Sequence, residues 1–141
     1  MKRFFSVLLV ILCILGFTSC KNEVGGKAPT WLRGKTWSGN VTITSMGMSG
    51  TEYLSFTFDD EGELYTDDLP EGITVITSGN SNTFRISISG YYIEGGIRSI
   101  IDATFVFTKV DNNKCKIDGS ASATTPGAMM TASLSGTLYG Y

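Results

Sequence analysis

From Trp31 onward the side chains alternate with period two, and turn-forming residues interrupt that alternation at short, regular intervals. "TWSGNVTIT" sets Trp37, Val41 and Ile43 on one face against Ser38, Asn40 and Thr42, and "NTFRISISG" sets Phe84, Ile86 and Ile88 against Arg85, Ser87 and Ser89. A chain so patterned buries its apolar face and satisfies its backbone as antiparallel strands with one face in water. Turn signals fall at Met46-Gly47-Met48-Ser49-Gly50, Asp59-Asp60-Glu61-Gly62, Leu69-Pro70-Glu71-Gly72, Gly79-Asn80-Ser81-Asn82, Glu94-Gly95-Gly96, Asp111-Asn112-Asn113 and Thr125-Pro126-Gly127. Each supplies Gly, Asn or Asp where φ is positive, or Pro to preset a turn.

These seven turns separate eight expected strands, at about 36–45, 51–59, 63–67, 73–78, 83–92, 97–109, 114–124 and 129–140. No stretch carries 3.6-residue spacing long enough for a helix, and no connection is long enough for a parallel crossover. Consecutive strands must therefore be neighbours, and an eight-stranded meander keeps two exposed edges unless it closes on itself. The expected fold is all-β: an eight-stranded antiparallel up-and-down meander closed into a barrel, its first and last strands paired, with a two-sheet sandwich as the alternative.

The start of the chain is of a different kind. Met1-Lys2-Arg3 is positive, and Phe4 to Phe17 is free of charge, too short for a span of roughly 20 apolar residues but the length of an export signal's core. Phe17-Thr18-Ser19-Cys20 then resembles the lipobox of bacterial lipoproteins. The resemblance implies a cut before Cys20 and a diacylglycerol thioether on its sulfur, giving a signal peptide at 1–19, a tether at 20–30 and a single β-domain at 31–141. The alternative is ordinary secretory cleavage with Cys20 incidental. Lys21-Asn22-Glu23 is similar to the basic-then-acidic tag of some Gram-negative surface lipoproteins. It implies an exported protein on the outer membrane, facing either side, whose partner is the membrane itself through the lipid.

Once Cys13 leaves with the signal and Cys20 is acylated, Cys115 is the one thiol left of three, so no internal disulfide can form. Loss of Lys2 and Arg3 leaves nine basic residues against thirteen acidic, a net charge of −4. That balance argues against nucleic acid as a partner. The absence of histidine excludes Ser-His-Asp and Cys-His catalysis and His-ligated metals. No enzyme activity, metal or cofactor is expected.

"WLRGKTWSG", Trp31 to Gly39, resembles the Gly-x-Trp opening of the first strand in the lipocalin, fatty-acid-binding and avidin group of barrels, here with one extra residue before Trp37. The resemblance implies a lipocalin-like barrel whose interior could hold a small apolar molecule. Alternation places Trp37, Phe84, Phe105 and Phe107 on one side of that interior, facing Gly119, Ala121, Ala132 and Gly136 on the other. Two readings follow: the small residues leave room for an apolar ligand bound by Trp37, Phe84, Phe105, Phe107, Ala121, Ala132 and Gly136, or they taper a filled core. In the second reading the protein acts through its surface, as an accessory or a protein- or glycan-binding module of an outer-membrane complex, and the outward Tyr53, Tyr139 and Tyr141, with Tyr91 or Tyr92, are its candidate patch.

Two further groups carry chemistry on paper. Asp59, Asp60, Glu61, Glu63, Asp67, Asp68 and Glu71 could bind calcium but lack the spacing of a dedicated loop, and charged hairpin tips that block edge pairing are the simpler reading. Cys115 lies between Lys114 and Lys116, yet alternation turns it inward with Ile117, as a buried structural thiol.

Overall fold

The computed structural model describes residues 20–21, 27–66 and 72–141. The expected signal peptide, tether residues 22–26 and the acids Asp67, Asp68 and Glu71 lie outside these residues. The described residues form nine strands: β1 (Cys20–Lys21), β2 (Lys35–Ser45), β3 (Met48–Phe58), β4 (Tyr65–Thr66), β5 (Ile73–Gly79), β6 (Thr83–Glu94), β7 (Ile97–Asp111), β8 (Lys114–Thr125) and β9 (Ala128–Gly140). There is no helix among the described residues.

Seven strands form one antiparallel sheet in the order β3-β2-β9-β8-β7-β6-β5, while β1 and β4 pair only with each other. The first long strand lies beside the last, as expected: Trp37 is opposite Gly140, Ile43 opposite Leu134, and Ser45 opposite Ala132. The expected closure and the expected count of eight are corrected. The sheet is open, with seven strands, and its edges are β3 and β5.

The reason lies in the stretch expected as a strand at 63–67. Among its described residues, 63–66, only Leu64, bridged to Phe58, and the two residues of β4 adopt extended pairing, and β4 pairs with β1 instead of joining the sheet. Counting antiparallel steps around the sheet, β3 and β5 point the same way, so a meander can join them only through a strand running opposite to both. The intervening residues, with Gly62 at φ 88° and Asp59, Asp60, Glu61 and Glu63 beside it, are poor material for such a strand.

The sheet curls strongly. Phe58 of edge strand β3 meets Phe84 of β6 with ring centroids 5.6 Å apart, and Phe56 meets Phe107 of β7 at 5.0 Å, both edge to face. Every residue assigned above to the interior by alternation on β2, β6 and β7 is buried: Trp37, Val41, Ile43, Phe84, Ile86, Ile88, Phe105 and Phe107. One end is capped by residues 28–34, where the Ala28 amide donates to Gly62 O at 2.8 Å and the Gly34 amide to Asp59 O at 3.0 Å. Ala28, Trp31 and Leu32 are buried there, so packing reaches into the stretch read as tether. Trp31 stands edge-on to Trp37 at 5.6 Å, and the Trp37 indole N–H donates to Leu32 O at 3.1 Å.

Candidate functional site

The seven residues of the expected interior site do not come together in one place. Phe84 and Phe107 belong to the phenylalanine cluster with Phe56 and Phe58, and Trp37 to the cap, where the Lys35 ammonium lies 5.5 Å from its ring centroid. Phe105, Ala121 and Ala132 come together around a space of about 10 Å³ that Ile43, Gly119 and Leu134 also line. That is room for about one water molecule.

The volume that the small residues release is used by their neighbours. A Cβ on Gly119 would lie 2.7 Å from the Phe105 ring, and one on Gly136 2.8 Å from Val41 Cγ1 and 2.9 Å from Asn40 O. Phe105 and Val41 therefore occupy the places that side chains at 119 and 136 would take. Gly136 is packed against Val41 and does not share the space beside Ala121.

Cys115 is buried and free. Burial pushes its thiol up to about 12, with a backbone hydrogen bond at Leu138 pulling the other way. A neutral, enclosed thiol of this kind is a packing group. The flanking Lys114 is half-buried, its ammonium 6.0 Å from the Tyr139 ring centroid.

The outer face is differently equipped. Tyr53, Tyr139 and Tyr141 are 63 %, 55 % and 75 % exposed, whereas Tyr91 is half-buried, its ring stacked under the Arg98 guanidinium at 4.3 Å. The registers set the first three around one patch of β2: Tyr53 faces Asn40, Tyr139 faces Ser38, and Tyr141 exchanges backbone hydrogen bonds with Thr36. Ser38 points outward yet is only 6 % exposed, and its Oγ lies 3.5 Å from the Tyr141 hydroxyl.

Beside Tyr141 opens a hollow of about 280 Å³ walled by Gly34, Lys35, Thr36, Thr57, Phe58, Asp59 and Asp60. The Asp59 carboxylate is committed to its own turn, accepting from the Glu61 and Glu63 amides at 2.9 and 2.8 Å. Asp60 Oδ1 comes within 2.5 Å of the place a Cβ on Gly34 would occupy, so the hollow depends on glycine there, at φ 65°. The acids and the tyrosines were each legible in the sequence. That the turn after β3 and the end of β9 meet across Thr36 was not, because it follows from the β2–β9 pairing and the cap together. Among the described residues no group of three or more carboxylates or thiols converges as a metal site, and no helix is long and apolar enough to cross a membrane.

Cys20 of β1 pairs with Thr66 of β4, two residues beyond the Leu64 bridge to Phe58. Compared with protein-family models, with curated proteins and with solved structures, the chain matches none.

Proposed function

We propose that this is an exported lipoprotein, held on an outer membrane by acyl chains on Cys20, whose filled β-core is a scaffold for binding at its surface. The lipobox-like Phe17-Thr18-Ser19-Cys20 behind a short charge-free run supports the anchor, and two or three acyl chains at about 0.8 kcal/mol per buried CH2 hold a domain of this size without any inserted protein. The observation that carries the surface reading is the interior volume. An apolar ligand carrier asks for roughly 300–1,000 Å³ of largely enclosed space, whereas the space enclosed by Phe105, Ala121 and Ala132 is about 10 Å³ and the hollow of about 240 Å³ beside Ala121 and Ala132 is open to solvent and bordered by Asp102, Thr104 and Thr131. Surface binding to an envelope partner asks for no interior space.

One experiment tests both halves on the expressed chain: detergent phase partitioning, followed by titration with an apolar fluorescent probe. Wild-type protein is expected in the detergent phase, Cys20→Ala in the aqueous phase, and neither brightens the probe. In a filled core Ala121→Leu overpacks and costs about 1–3 kcal/mol in urea melts. Unchanged partitioning of Cys20→Ala sinks the anchor. Probe uptake that Ala121→Leu abolishes at unchanged stability sinks the surface reading and restores the ligand carrier.

A further inference from the structure

The tyrosine-bearing strip of the outer face is built unlike a protein-docking patch. Its rings are exposed, but its floor is polar: Thr36 and Asn40 on β2, with Thr57 and Ser55 beside them on β3, and Ser38 between, buried beneath the Tyr141 hydroxyl. The Thr36 and Thr57 hydroxyls are 2.9 Å apart and bonded to each other. A protein interface would bury an apolar centre inside a polar rim, and here the order is reversed, with aromatic walls around hydroxyl and amide groups.

That reversal suits one ligand chemistry. A pyranose presents C–H faces that pack on aromatic rings and hydroxyl edges that donate and accept, which matches tyrosine rings, Ser and Thr hydroxyls, an amide and a carboxylate acceptor. The carboxylate is Asp60, at the hollow's mouth beside Tyr141. From Thr36 to Asn40 the strip runs about 13 Å along the strand, longer than one ring. Asp59 and Asp60 stand at its head beside Lys35, and Lys114 lies 6.0 Å from the Tyr139 ring centroid, so the strip has no excess of positive charge to hold an acidic sugar.

We infer that the strip from Asp60 and Tyr141 to Tyr139 and Tyr53 binds successive pyranose rings of a neutral polysaccharide. This rests on the surface-acting reading and gives it a ligand class. The test is native affinity electrophoresis of the detergent-solubilised full chain through gels carrying a soluble α-glucan, β-glucan, mannan or xylan, with polygalacturonate as the acidic comparison.

Retardation is expected in at least one neutral gel and not in polygalacturonate. Tyr139→Ala and Tyr141→Ala should each weaken it tenfold or more and Asp60→Asn several-fold, with recovery in Tyr139→Phe, while Ile76→Ser, on the exposed face of β5, leaves it unchanged. Thermal melts by circular dichroism establish that each variant is folded. Mobility equal to the blank gel in all four neutral polysaccharides overturns the inference, as does retardation that survives both tyrosine substitutions or is as strong in polygalacturonate. Failure in the neutral gels removes the saccharide alone; the surface-acting reading falls separately, to probe uptake by the interior.

Discussion

At the capped end of the sheet, Trp31 and Leu32 fold under the strands, and Phe56, Phe58, Phe84 and Phe107 interlock edge to face behind them. At the opposite end, the turns Met46-Gly47, Gly95-Gly96 and Pro126-Gly127 carry exposed Met46, Met48, Ile93 and Met129, and nothing lies within 4 Å of a Cβ placed on Gly47, Gly95, Gly96 or Gly127. Strand β3 passes through both regimes. Met48 to Tyr53 is exposed on both faces, while Leu54, Phe56 and Phe58 are buried. The same strand with the same ladder to β2 is thus held by burial over one half and by pairing alone over the other. Hydrogen-bonded pairing extends a sheet, but packed side chains decide where it is rigid.

The sharpest way to break that contrast is to remove a ring from the capped half. Phe107→Ala takes away three aromatic partners at once, and urea melts should show a loss of about 3–5 kcal/mol. A loss below 1 kcal/mol would mean that the capped half is as loosely packed as the tips.

A second handle is Cys115, beside Leu138 in the same core. Its thiol stays neutral in the fold up to about 12, against an ordinary value of 9.0. Below pH 9 both states hold the proton and the group is silent. Between pH 9 and 12 the unfolded chain loses the proton that the fold retains, so stability falls as pH rises, by at most about 1.4 kcal/mol per unit. Cys115→Ala should lower stability at neutral pH by removing buried volume, yet flatten that alkaline slope. An unchanged slope would place the thiol in contact with water.

The smallest effect belongs to the free end. Met46 stands at φ 52° in a two-residue turn with Gly47, a place where Asn is the favoured side chain. Met46→Asn should stabilise by about 0.5 kcal/mol, visible as a small rise in urea midpoint at constant m. Destabilisation would show that the methionine packs against something at that end.

Much of this division could be read in the residues beforehand, and the failures have physical causes. β6, β8 and β9 announced themselves because apolar alternation ends in Asn, Asp or Gly chemistry, as where Asn80 Oδ1 accepts from the Asn82 and Thr83 amides at 3.0 Å. Residues 63–67 alternate just as well, Leu64 facing inward, but alternation does not weigh the cost of drawing the neighbouring carboxylates into a ladder between two strands. The cap was missed at Ala28 because a buried small residue held by hydrogen bonds, its amide to Gly62 O and its carbonyl from Arg33 Nε, leaves no periodic trace. At the interior site, the sizes of Gly119 and Gly136 were plain. Which larger neighbour leans into each vacated place depends on register and curl, and Phe105 and Val41 are known only from the folded sheet.

The β2–β9 ladder has a kinetic meaning. Trp37 finds its partner at Gly140, so two neighbouring strands inside the sheet are its first and last in chain order. The β5–β9 hairpins can form locally within microseconds. The capped core cannot, because its first strand waits until nearly the whole polypeptide is available, and closing so long a loop is slow. Completion of the sheet therefore waits on its last strand, and that order of events follows from strand order alone.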